Sequence, residues 1–266
     1  MTDAQTYQRV QAALHNLKFL TAVDGLDALA QQAAAEHWTY LAFLDRLTQS
    51  ELAAREEQAV ARNIRRARFP FVKTLDQFDF ACQPAINAAQ VRDLATVRFV
   101  AHGENVLLLG PPGVGKTHLA VSLGMAATLQ GMTVVFYTVA ELLDLLAQDA
   151  KAERLQSRLK SLARPDVLIL DEMGYFPIDK RTAQFFFQLV SLRYLKGSII
   201  LTSNKSYGEW GSIFSDTVLA AAILDRLLHA STTIVIDIVS TSVYSGGVDT
   251  SCGKIKNRKA LARRKR

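Results

Sequence analysis

The stretch Gly110-Pro111-Pro112-Gly113-Val114-Gly115-Lys116-Thr117 has the G-x-x-x-x-G-K-T spacing of a phosphate loop, so nucleotide chemistry is the first expectation. Glycines at those positions let backbone N–H groups turn inward around phosphate oxygens. A helix opening at Thr117 adds its positive dipole end. Lys116 supplies charge for the β- and γ-phosphates, and the Thr117 hydroxyl supplies a ligand for Mg²⁺. ATP and Mg²⁺ are therefore expected on Gly110, Pro111, Pro112, Gly113, Val114, Gly115, Lys116 and Thr117, with His118 adjoining them. A helical histidine beside such a loop also serves as packing, so His118 proves nothing by itself.

Val167-Leu168-Ile169-Leu170-Asp171-Glu172 reads as a buried strand ending in two acids. Ligands of open α/β sheets bind outside the carboxyl ends of the strands. Asp171 is thus placed to orient Mg²⁺, and Glu172 to act as general base toward the attacking water. The paired acids favour ATP hydrolysis over phosphoryl transfer to a small molecule. The next strand ends in Leu201-Thr202-Ser203-Asn204. Asn204 suits a sensor of the γ-phosphate that also holds the lytic water; capping of a turn is the rival reading. Arg226 stands beside Asp225 in the otherwise apolar stretch Ala222–Leu228. It is open to three readings: a pair with Asp225, a solvent-facing charge, or an arginine finger donated to a neighbouring subunit's ATP. Trp210 reads as core, and His102 and Phe80 carry no distinct signal.

These residues need a scaffold, and residues 67–239 supply one. Strands are expected over Asn105–Leu109, Thr133–Thr138, Val167–Asp171, Ser198–Ser203 and Thr233–Ile238. Helices over Thr117–Gln130, Ala140–Leu162, Lys180–Leu195 and Asp216–Ala230 separate them. Short apolar strands joined by crossover helices make an α/β fold, with a parallel five-stranded sheet covered on both faces. Residues 1–66 differ, being Pro-free and rich in Ala, Leu, Gln, Glu and Arg. They are expected to form a small all-helical adaptor domain, with helices over Thr6–Leu20, Leu26–His37 and Thr39–Arg66. Asp24-Gly25 is expected to part the first helix from the second, and Arg68-Phe69-Pro70 to end the run. Leu41, Leu44, Leu47 and Leu52 recur at helical spacing, a face to bury against a neighbour or a partner.

Charge needs dividing before it is used. The net +6 includes eight basic residues between Lys254 and Arg266, and removing them leaves −2 for residues 1–253. The tail, residues 240–266, opens with a Gly/Ser/Thr stretch and is expected to be disordered. Arg62, Arg65, Arg66, Arg68 and Lys73 form a second basic cluster with no acid between Glu57 and Asp76. Either cluster suits a polyanion such as DNA, or a solvated surface. No apolar run exceeds strand length, Cys82 and Cys252 lack metal-ligand spacing, and the N-terminus has no signal-peptide core. The expectation is a cytoplasmic protein with no membrane partner.

The chain resembles the IstB-like helper ATPases encoded beside the transposase of bipartite bacterial insertion sequences, relatives of the DnaC helicase loader within the AAA+ class. The matching stretches include Lys73-Thr74-Leu75-Asp76-Gln77-Phe78-Asp79-Phe80, Gly103–Gly113, Leu170–Tyr175, Ile200–Asn204, Glu209-Trp210-Gly211 and Leu224–His229, within about residues 10–237. The resemblance implies a AAA+ core of strand order 5-1-4-3-2, ATP-dependent homo-oligomers on double-stranded DNA, and a handoff to the transposase. It implies that Asn204 is the first sensor and Arg226 the arginine finger. It also sets a helical insert around Ala140–Leu162 toward DNA, with Lys151, Arg154, Arg158 and Lys160 for phosphates. Relatives usually end with a Gly-Glu-Ser-Tyr-Arg-like segment, whereas here Ile236-Asp237-Ile238 runs into the basic tail. A second-sensor arginine therefore has no counterpart. A helicase loader, or a DNA-binding adaptor using ATP as structural glue, shares these features.

Overall fold

The computed structural model describes residues 3–236. Expectations for the tail, for Asp237-Ile238 and for Cys252 lie outside the described residues. The chain divides into two compact units between Arg62 and Asn63.

The first unit holds α1 (Asp3–Asn16), α2 (Leu20–Ala35) and most of α3 (Tyr40–Ala67). Asp24-Gly25 does not part the first two helices; both residues lie inside α2. Gly25 has open space around it, so it costs its helix only about 1 kcal/mol relative to Ala. The break falls instead at Leu17–Phe19, where Lys18 takes a left-handed φ of 58°. Ala22, Leu26 and Leu47 form a small core. Leu41, Leu44 and Leu52 stay exposed, so only one of the four periodic leucines is buried within the unit. The last turn of α3 belongs to the second unit, where Ala67 is fully buried and Ile64 packs against the core. Arg68, at φ 58°, ends that helix ahead of Pro70.

In the second unit α4 (Ala88–Leu94) and α5 (Arg98–Ala101) precede β1 (Asn105–Leu109) and α6 (Lys116–Leu129). Then come β2 (Val134–Thr138), α7 (Val139–Lys151), α8 (Leu155–Ala163) and β3 (Val167–Met173). The unit continues with α9 (Lys180–Arg193), β4 (Ser198–Ser203), α10 (Trp210–Ile213), α11 (Thr217–Leu228) and β5 (Ser231–Val235). The strands form one parallel sheet of order β2-β3-β4-β1-β5, the order the resemblance implies. Alternate strand residues serve two cores: Val106, Leu108, Ile169 and Ile200 face the α6 side. Leu107, Leu168, Leu170 and Leu201 face α7, α9 and α11. Burial on both faces explains why these strands read as unbroken apolar runs. Trp210 is fully buried among the second set, as expected.

Several boundaries move, β3 for example running on to Met173. β5 starts at Ser231, ahead of its expected position. The expected helix Ala140–Leu162 is two helices, because Glu153 adopts φ 57° and interrupts it. Asp149 is buried at the break and pairs with Arg158 (2.6 Å) and Arg154 (3.5 Å), so local charge pairing overrides a continuous helical pattern.

Arg193 ties this layer to the sheet. Its guanidinium is buried and donates to the carbonyls of Leu162, Pro165, Asp166 and Ser198 at 2.8–3.2 Å. Burial lowers its pKa to about 10, with Asp166 opposing the shift. Replacement by Ala removes four hydrogen bonds from a charged donor, each contributing about 1.5–3 kcal/mol, although Asp166 O keeps the Ser198 N–H. Arg193→Ala is expected to lower unfolding stability by at least about 3 kcal/mol in urea denaturation. A loss under about 1 kcal/mol would show that water replaces the guanidinium freely.

Candidate functional site

The loop that follows β1 is shaped by what surrounds it. Gly110 has φ 152°, and a Cβ there would lie 2.2 Å from the Ile236 carbonyl oxygen. Gly115 has φ 94°, and its Cβ would meet the Phe78 ring at 2.7 Å. No other residue fits either place without displacing backbone or an aromatic ring. Among the described residues, the first backbone N–H after Gly110 to reach a backbone acceptor is that of Leu119, on Gly115 O at 3.0 Å. The preceding N–H groups, from Gly113 to His118, are thus a cradle of donors at the start of α6, which is what an anionic phosphate requires.

Lys116 is buried and donates to the Gly110 and Pro111 carbonyls, both at 2.7 Å. Burial lowers the pKa of its ammonium, while Asp171 and Glu172 act to raise it. The Thr117 hydroxyl donates to both carboxylate oxygens of Asp171, at 3.0 and 2.9 Å. The expected partners from the loop and from β3 are therefore in contact.

A bulge in β3 sets the acids apart. Leu170 pairs with Leu201 and Met173 with Ser203, so Asp171 and Glu172 together oppose Thr202 of β4. Asp171 stays buried and Glu172 is exposed. Glu172 adopts φ 68°, a left-handed conformation costing about 1–2 kcal/mol for a residue with a Cβ. Its N–H donates to the Thr202 hydroxyl at 2.9 Å, and that hydroxyl donates to Asp171 Oδ1 at 2.5 Å. Beside Glu172 opens a cavity of about 430 Å³, lined by Val139, Leu143, Phe176, Ile178 and Asp179 among others. It is mostly apolar, and no cation stands in its wall among the described residues.

Asn204 lies just past the end of β4, its N–H on Met173 O at 3.4 Å. Its Oδ1 is buried with no protein partner among the described residues. His118 is half-buried, with Nε2 3.4 Å from Thr74 O and its ring edge-on to Phe78. Burial lowers its pKa; the Thr74 contact acts to raise it and Lys73 to lower it. Its side chain therefore packs on the segment that precedes the sheet. Arg226 is half-buried, stacks 4.5 Å above the Phe187 ring and donates to Ala222 O at 3.1 Å. No ion pair with Asp225 occurs among the described residues, which removes that reading.

Two residues escaped the sequence reading. Thr202 was legible only as a polar residue in an apolar strand, and Phe78 only as part of a matching stretch.

With the loop strand and the acid-bearing strand separated by a single strand, β4, the second unit has the fold of AAA+ P-loop proteins. The chain belongs to the IstB-like ATP binding protein family, whose sequence model matches residues 12–243. It is 48% identical over 209 residues to an insertion sequence IS21 protein of Pseudomonas aeruginosa named as ATP-binding, covering 79% of each chain. An IS5376 protein of Geobacillus stearothermophilus, likewise named, is 41% identical over 224 residues, covering 84% of this chain and 89% of that one. Among solved structures, the replication initiator DnaA bound to AMPPCP and single-stranded DNA shares the fold, with TM-score 0.52 and 21% identity over 62% of this chain and 50% of that one. DnaI does so with TM-score 0.51 and 22% identity over 61% and 90%. No described helix is long and apolar enough to cross a membrane.

Proposed function

We propose that this protein is a cytoplasmic ATPase that assembles as a homo-oligomer on double-stranded DNA and regulates or recruits the transposase of its insertion sequence. The observation that carries the catalytic part is the Thr117–Asp171 contact beside the N–H cradle. A hydroxyl and a carboxylate side by side suit Mg²⁺, which Thr117 would ligate and Asp171 would help to orient. Bound Mg²⁺–ATP supplies the phosphoryl group and the charge that eases its transfer. Gly110 to Thr117, with the backbone of His118, hold the phosphates, and Lys116 neutralises them. With the substrate bound, Glu172 would take one proton from water as its oxygen bonds to the γ-phosphorus and the β–γ bridging P–O bond breaks to release ADP. Asn204 Oδ1, without a partner among the described residues, would accept a hydrogen bond from that water and orient it.

Support for assembly is of another kind. Relatives across much of the chain are named for insertion sequences. Arg66, Arg68 and Lys73 are exposed, as are Lys151 and Lys160, and all suit DNA phosphates. Arg154 and Arg158 are engaged by Asp149 and contribute less. In the helical unit, which we read as an adaptor, Tyr40, Leu41 and Leu44 offer an uncovered apolar face to a partner.

The test is ATP turnover and duplex binding in the same preparation. Turnover that needs Mg²⁺, and duplex affinity by fluorescence anisotropy that needs ATP, are expected. Duplex affinity indifferent to nucleotide, without turnover, would favour the adaptor. Capture of a replicative helicase rather than the transposase would favour the loader. Lys116→Ala is expected to weaken ATP binding about 10- to 100-fold, since a charged hydrogen bond contributes about 1.5–3 kcal/mol. Titration with a fluorescent ATP analogue measures it, and unchanged affinity would remove Lys116 from the site.

A further inference from the structure

We infer that Thr202 is the positioning residue that locks the β3 bulge, so that one hydroxyl aims Asp171 at the metal and holds Glu172 outward as base. This rests on the proposed ATPase reading.

The bulge leaves two β3 residues opposite one β4 residue, so the regular ladder cannot satisfy both. At Glu172, where the register breaks, the Thr202 hydroxyl takes the N–H. That hydroxyl has one proton to give, and it goes to Asp171 Oδ1. Thr202 is 1% exposed, so water cannot substitute on either side. Asp171 then receives hydroxyls from two directions, Thr117 from the loop and Thr202 from the sheet. When Thr117 turns to a metal, Thr202 remains to hold the carboxylate rotamer. The same bond stabilises the left-handed backbone of Glu172, which is what carries its side chain off the buried strand. A β-branched residue without the hydroxyl fits the strand equally well and performs neither task.

Thr202→Val keeps size and β-branching and removes only the hydroxyl. It is expected to lower kcat about 100-fold, the scale of a misplacement near 1 Å at a reacting centre, with the KM for ATP changed less than about threefold. Binding of a fluorescent ATP analogue in EDTA should match wild type, while the tightening produced by Mg²⁺ falls about tenfold. Thr202→Ser, which restores the hydroxyl, should recover most of both losses. Amide hydrogen exchange reads the lock without turnover: the Glu172 N–H should be protected in wild type and in Thr202→Ser. A folded Thr202→Val with wild-type kcat and Mg²⁺ response would overturn the inference. So would a freely exchanging Glu172 amide in wild type, which decides the matter even if the Val variant does not fold. A wild-type protein that neither binds nor hydrolyses ATP would instead overturn the ATPase reading, with the amide measurement still testing the lock.

Discussion

Arg226→Ala is expected to bind ATP nearly as well as wild type and to hydrolyse it about 10³- to 10⁵-fold more slowly, the range for an arginine that stabilises a transferring phosphoryl group. Within its own chain the hydrogen bond and the ring contact of Arg226 run to Ala222 O on α11 and to Phe187 on α9. Neither contact reaches the phosphate loop. A large catalytic defect is therefore expected to act across a subunit boundary. Mixing decides it. Lys116→Ala keeps its own Arg226 but holds ATP poorly, so a hybrid interface with Arg226→Ala has one competent site. Turnover of the mixture above either variant alone is the expected result. If the two variants co-assemble and mixing restores nothing, Arg226 works inside its own subunit. Its stack on Phe187 would then be structural, and its loss would show as a modest fall in stability, about 0.5–1 kcal/mol for a partly exposed cation–π contact.

Glu172→Gln is expected to keep Mg²⁺–ATP bound and to slow hydrolysis by about 10²–10⁴, the usual contribution of a positioned general base. The substitution is well aimed because the backbone, not the carboxylate, anchors this residue. The N–H bond to Thr202 and the left-handed φ survive it, so geometry stays and only basicity goes. ATP affinity and single-turnover rate, measured together, separate binding from chemistry. Bound nucleotide should persist and hold the protein on duplex DNA. Single turnover at the wild-type rate would transfer the base to another group and leave Glu172 as a surface acid beside the cavity.

The sequence by itself determined the phosphate-loop motif and the sheet that carries it. A phosphate loop is a local object, in which glycine spacing, one lysine and one threonine specify backbone shape and charge within a single turn. Strands buried on both faces announce themselves as apolar runs, so β1, β3 and β4 were legible nearly residue by residue. Only the tertiary structure decided what depends on partners distant in sequence. Gly25 looked like a break because local propensity cannot see that the helix tolerates it, while the real interruption at Lys18 has no Gly or Pro to mark it. The split between α7 and α8 depends on Asp149 being buried with Arg154 and Arg158. Arg226 had three readings, and the structure removed one by placing Phe187 beneath it. Thr202 was one polar letter in an apolar strand. Its importance exists only because the bulge in β3 sets two acids against it, and register between strands is a property of the assembled sheet that no single strand's sequence contains.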